Sequence, residues 1–113
     1  MDTHDIPTDG PSDWQPITNK HNLAVLGKLG EEAAELGSAL FRCTIQGLDE
    51  AEPITGKVNR RWLEEEIADV EAMILIAKRH LFLSEAFIGE RRARKMAYKE
   101  PWFAALEGAP DAP

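Results

Sequence analysis

The chain has a single cysteine, Cys43, so no intrachain disulfide can staple it. It also lacks an excess of positive charge. Thirteen Lys and Arg stand against 20 Asp and Glu, giving a formal net charge of −7 and a pI of about 4.9. A broad nucleic-acid surface needs the opposite balance, because Lys and Arg must neutralise the phosphates. The lack does not exclude a nucleotide ligand, since carboxylates hold an anionic substrate through a bridging divalent cation. Long apolar runs are missing too. Even Ala72 to Ala77 gives way at once to Lys78, Arg79 and His80, far short of a membrane span. Met1 to Gly10 is acidic and polar with no apolar centre, unlike a secretory signal. No segment alternates apolar and polar residues as a half-buried strand does. A cytoplasmic, reducing setting and an all-α fold are the resulting expectations.

What remains is a globular composition. Of 113 residues, 43% are hydrophobic, which suits one domain with one core. Residues 1–12, with Pro7, Gly10 and Pro11, read as a flexible arm; 13–107 read as the helical domain; 108–113, with Gly108, Pro110 and Pro113, read as a flexible tail. The first helix is expected to start between Trp14 and Asn22, with a break near Pro16 to Asn19, and to run to about Ile45. Leu29, Ala33, Leu36 and Leu40 give it one buried face, on which Cys43 reads as a small core residue. Gly47 sits where a C-terminal cap belongs. After a loop over 48–58, Asn59 is the expected N-cap of a second helix reaching His80. Leu63, Ile67, Val70, Ile74, Ala77 and Leu81 form its stripe, and Met73, Leu75 and Ile76 widen it beyond one face. Ser84 is the expected cap of a last helix from Glu85 to Lys99, stopped by Pro101. Such wide apolar faces on so short a chain predict cover from other subunits, in a dimer or a tetramer.

Two segments carry chemistry: Glu31-Glu32-Ala33-Ala34-Glu35 and Glu64-Glu65-Glu66-Ile67-Ala68-Asp69. On a helix, residues three or four apart share a face, so Glu32 neighbours Glu35 and Glu66 neighbours Asp69. Each pair lies beside an apolar stripe. If the stripes pack together, four carboxylates converge at the edge of the core, where like charges demand a counter-charge. A hard divalent cation with oxygen ligands, Mg²⁺ or Mn²⁺, supplies it. Either motif alone is usually a solvated acidic face, and the pairing of the two on consecutive helices makes them specific. A di-iron bundle ranks low, because its E-x-x-H pairs are absent.

The words Lys28-Leu29-Gly30-Glu31-Glu32-Ala33-Ala34-Glu35-Leu36 and Glu65-Glu66-Ile67-Ala68-Asp69-Val70 resemble the two motifs of the MazG-like, all-α nucleoside triphosphate pyrophosphohydrolases. The compact form, with a basic last helix, looks most like bacteriophage members, which would place the protein in a host cytoplasm. The resemblance implies a small antiparallel helical bundle that is oligomeric. It implies conversion of a (d)NTP and water to a (d)NMP and pyrophosphate, with dNTPs, and purines such as dGTP or dATP, as the expected substrates. It implies Glu32, Glu35, Glu66 and Asp69 as ligands of two or three Mg²⁺ or Mn²⁺ ions. Glu31 would be a further ligand or the base that orients water, with Glu65 a weaker candidate.

Around this core, Lys28, Arg91 and Lys95 are candidates for the substrate's phosphates, with the pair Arg94 and Tyr98 behind them. The alternative for all of them is a solvated basic face. Trp14, Asn19, His21 and Trp62 are candidates for the base, each equally readable as structural. Trp102 and Phe103 are expected to dock the tail on the bundle or on a neighbouring subunit. Two other readings stay open: a related all-α pyrophosphohydrolase for a modified or phosphoribosyl nucleotide, and a non-catalytic helical binding or regulatory protein.

Overall fold

Asn19 begins the helical part of the chain. In the computed structural model, which describes residues 13–112, its side-chain oxygen accepts hydrogen bonds from the backbone N–H of His21 (2.9 Å) and Asn22 (3.0 Å). These are two of the four donors that any helix start leaves unpaired. Helix α1 (Lys20–Gln46) then runs unbroken across its three glycines. It starts later than a Trp14 start would have it. Residues 13–19 ahead of it are not helical, so the break expected near Pro16 is the helix start itself. The arm expected at 1–12 lies outside the described residues.

Gly47 ends α1 as expected. Its φ of 100° lies where a side chain would be strained, and its N–H donates to the Cys43 carbonyl at 2.8 Å. The loop that follows is tightly bonded. The Glu52 carboxylate accepts from the N–H of Ile54 and Thr55 and from the Thr55 hydroxyl, at 3.0, 2.7 and 2.6 Å. Those bonds hold its carboxyl below the usual glutamate range, the Thr55 hydroxyl contributing most. Gly56, at φ 75°, turns the chain so that Ala51 and Val58 form an isolated antiparallel bridge; no sheet occurs among the described residues.

Helix α2 (Asn59–His80) corrects one expectation. The cap position is Val58, which gives no side-chain bond, and Asn59 is the first helical residue. Asn59 turns instead toward the end of α1. Its Nδ2 donates to the Gly47 carbonyl (3.0 Å) and to Gln46 Oε1 (3.2 Å), and the residue is only 1% exposed. An asparagine that reads locally as a helix start therefore closes the end of the preceding helix. Asn59→Ala removes both bonds and leaves a gap where a buried side chain stood, and we expect a loss of about 2 kcal/mol of stability in chemical denaturation. An unchanged midpoint would mean that the bolt is idle.

Lys78, Arg79 and His80 fill the last turn of α2, where cations suit the helix dipole. Phe82 takes a left-handed φ of 53° in the turn, and the Ser84 hydroxyl accepts from the Phe87 N–H at 3.1 Å, capping α3 as expected. Pro101 does not stop that helix: α3 spans Glu85–Glu107 with Pro101 inside it. The proline removes one backbone donor, but Ala104 to Glu107 beyond it are strong helix formers.

Helices α1 and α2 pack antiparallel. Helix α3 has no comparable packing partner among the described residues, and none of its residues is buried. The buried apolar side chains are two alanines, Ala39 (6% exposed) and Ala77 (2%), one from each packed helix. The two stripes are thus only half covered: Leu29, Leu36 and Val70 are partly buried, while Ala33, Leu40, Ile67 and Ile74 stay exposed. Cys43 is half-buried rather than in a core, its Sγ 3.8 Å from the Asn59 carbonyl. Trp102 and Phe103 meet edge to face at 5.7 Å but remain exposed. No helix among the described residues is long and apolar enough to cross a membrane.

Candidate metal centre

Glu32, Glu35, Ala39 and Arg42 step by three, four and three along α1, so they form one strip of that helix. Trp62, Glu66 and Asp69 form a matching strip on α2. Where the strips face each other, Glu32, Glu35 and Glu66 each bring one carboxylate oxygen within 4.8 Å of the other two. Such a cluster could in principle hold a divalent metal. Acidic clusters are common without one, so its details decide.

Glu32 is 8% exposed, and its Oε2 is buried with no hydrogen-bond partner. Glu66 Oε2 is buried and unpartnered as well. A buried acceptor left unpaired costs free energy, and a carboxylate costs more than a neutral group. Two such oxygens beside a third carboxylate fit a hard cation with oxygen ligands, whose charge would satisfy both. The Glu35 carboxyl is raised above the ordinary glutamate range. The charge of Glu32 is the largest cause, followed by burial and by Glu66 and Glu31.

The sign of that shift gives a test. A carboxyl with a raised pKa binds its proton more tightly in the folded chain than in the unfolded one. It therefore costs the fold nothing at low pH, and the cost appears as pH rises through the unfolded and then the folded value. A bound cation reverses the field. In a carbon-detected NMR titration, the Glu35 midpoint should lie above that of an ordinary glutamate in EDTA and fall well below it in excess Mg²⁺. A midpoint indifferent to Mg²⁺ would remove the cation from this site.

The other expected residues distribute as follows. Lys28 Nζ lies 3.2 Å from Glu32 Oε1 and 3.4 Å from Glu31 Oε1, so it already serves the carboxylates as a counter-charge. Glu31 is exposed and spends its bond on Lys28. Asp69 is exposed and stands outside the three-carboxylate group. Glu65 pairs with Lys57 at 3.0 Å. Arg91 and Lys95 line, with Arg94 and Tyr98, a separate shallow cleft of about 240 Å³ on α3 alone. Asn19 is the cap of α1, and with His21, Arg79 and His80 it lines a cleft at the far end of the hairpin. From the first turn of α1 to Glu32 is about 18 Å along the axis, at 1.5 Å per residue. Trp14 lies ahead of α1 and is exposed.

Trp62 alone of the four base candidates reaches the site. A cleft of about 180 Å³ is lined by Glu35, Ser38, Ala39, Arg42, Trp62 and Glu66. The ring is already engaged: the Lys57 Nζ lies 4.0 Å from its centroid and the Arg42 guanidinium carbon 5.3 Å. Arg42 and Lys57 are missing from the sequence reading. Arg42 was legible, because it continues the strip of Glu32 and Glu35. Lys57 was not, because it lies in a loop, where no period places it, and is held there through Gly56 and Glu52. Against known proteins, no family model, no curated protein and no solved structure matches this chain.

Proposed function

We propose that the chain is a metal-dependent nucleoside triphosphate pyrophosphohydrolase of the MazG-like kind, acting on dNTPs. The observation that carries this reading is the meeting of Glu32, Glu35 and Glu66 within 4.8 Å, with two buried oxygens unpartnered. The motif words around these residues supply the reaction.

Glu32, Glu35 and Glu66 would hold Mg²⁺ or Mn²⁺, with Asp69 joining through the same α2 strip. When bound, two or three such ions would supply positive charge to the triphosphate and acidify the attacking water. The rest falls to the chain's own side chains. Glu31, exposed beside the cluster, would orient that water and accept its proton. Lys28 moderates the charge of Glu31 and Glu32. The water oxygen bonds to the α-phosphorus, the bond from that phosphorus to the oxygen bridging to the β-phosphorus breaks, and pyrophosphate leaves with the electron pair. No covalent intermediate is required, since positioning and charge neutralisation do the catalysis.

The same reading makes the protein a homodimer or homotetramer, because large apolar residues of α2 and α3 stay exposed among the described residues. The experiment is pyrophosphate release from a panel of canonical and modified NTPs and dNTPs, with Mg²⁺, with Mn²⁺ and with EDTA. Turnover of a few dNTPs that EDTA abolishes is the expected result. Turnover confined to a modified nucleotide would keep the chemistry and change the substrate. A folded protein silent across the whole panel would favour a binding role for the acidic strips.

A further inference from the structure

Two cations converge on the ring of Trp62 from different parts of the chain. Arg42 comes from the C-terminal part of α1, and Lys57 from the loop before α2. Of the two, only Lys57 has an ion-pair partner among the described residues, namely Glu65. Arg42 has no hydrogen-bond or ion-pair partner there; its contact is the face of the ring. Glu52, whose carboxyl feels the charge of Arg42, has its oxygens committed to Ile54 and Thr55. The ring therefore carries a spare positive charge beside it, and a guanidinium with its donors open.

This charge stands at one end of the cleft whose other end is the carboxylate cluster. Glu35 and Glu66 line the same 180 Å³ cleft as Arg42 and Trp62. Along α1, Glu35 and Arg42 are two turns apart, about 10 Å at 1.5 Å per residue. A ligand filling the cleft meets carboxylates, and so a cation, at one end and a guanidinium at the other. Guanidinium donors form a planar fork that matches phosphate oxygens in pairs. An aromatic face attracts and aligns such a group without neutralising it.

We propose that Arg42, aimed by Trp62 and backed by Lys57, is the subsite for the outer phosphates of a polyphosphate chain whose inner phosphate lies at the carboxylates. The proposal rests on reading those carboxylates as the centre that handles a triphosphate. It moves phosphate recognition away from Arg91 and Lys95, which lie in a different cleft. It also makes Trp62 a positioning residue for the two cations instead of a platform for the base.

The test separates this subsite from the metal centre. In a background with Trp14→Phe and Trp102→Phe, Trp62 is the sole tryptophan, and its emission reports the cations on its ring. Titration with tripolyphosphate and Mg²⁺ should change that emission. Arg42→Gln should weaken tripolyphosphate binding about 10- to 100-fold, the range for a hydrogen-bonded charged group. The same substitution should leave Mn²⁺ affinity, read by paramagnetic resonance, and nucleoside monophosphate affinity unchanged. Arg42→Lys should recover part of the loss, because it restores charge without the fork. With binding read by calorimetry, because the fluorophore is then gone, Trp62→Phe should retain binding, and Trp62→Leu should lower it several-fold with helicity intact. Unchanged tripolyphosphate affinity in Arg42→Gln, with Mn²⁺ still bound, overturns the subsite and leaves the proposed reaction standing. Failure of the unmutated protein to bind Mn²⁺ overturns the metal centre, and with it the placing of the inner phosphate at the carboxylates.

Discussion

Glu35→Gln is expected to abolish pyrophosphate release while making the protein more stable in EDTA. The two effects have one cause. Glu35 sits among Glu32, Glu66 and Glu31, and their charges raise its pKa, which is a cost that the folded chain carries at neutral pH. Glutamine keeps the shape and removes the charge, so the repulsion is relieved. The same change removes a ligand oxygen from the three that meet within 4.8 Å. Losing one element of a charge-stabilising site costs about 10²- to 10³-fold in turnover. A merely solvated acidic face predicts no such pairing of opposite effects. Thermal unfolding in EDTA and in Mg²⁺ provides the check. Unmutated protein should gain stability from Mg²⁺, and Glu35→Gln should gain much less. Equal stabilisation of both proteins by Mg²⁺ would place the cation elsewhere. Asp69→Asn makes an informative companion. Asp69 stands outside the three-carboxylate group, so a loss of turnover there would show that the α2 strip supplies a fourth ligand once the cation is present.

Parts of this site were legible because helices are periodic. Spacings of three and four fix which residues share a face, and they place Glu32 beside Glu35 with no knowledge of the fold. That the face of α1 meets Glu66 on α2 follows once the two stripes are packed. Local signals also worked where the chemistry is local: Asn19, Gly47 and Ser84 bond to backbone groups within four residues. They failed where the partner is distant. Asn59 resembles a cap of its own helix, yet its acceptors lie 12 and 13 residues back. Lys57 has no periodic position at all, and only the folded loop shows that it meets Trp62. Pro101 misled for another reason, because a single missing donor does not end a helix whose downstream residues favour it. The acidic motifs show where charge gathers, but the buried and unpartnered state of two oxygens is a property of packing that no spacing contains.

Sedimentation at micromolar concentration should return a mass at least twice the 12.6 kDa of the chain, and Leu75→Glu should destroy both the assembly and most of the helix. The reasoning starts from area. A folded monomer of this mass exposes about 6,200 Å² by the usual scaling, whereas this chain exposes 9678 Å². Its radius of gyration is 19.9 Å, against about 13 Å for a compact domain of this length. The excess, near 3,500 Å² per chain, is more than one partner's share of most obligate interfaces. Large apolar residues on the helices contribute to it. Leu75 and Ile76 are exposed in the middle of α2, and Phe87, Met96, Phe103 and Leu106 along α3. Two buried alanines cannot offset the chain entropy of three helices. A second copy is the economical cover, because a two-fold axis buries the same faces on both chains at once. A charge at Leu75 would then be forced into that interface without a partner, at a cost of several kcal/mol. Unfolding temperature should rise with protein concentration, as linkage to assembly requires. A 12.6 kDa species that is fully helical and unfolds cooperatively, independent of concentration, would overturn this reading. The α3 faces would then need a partner of another kind.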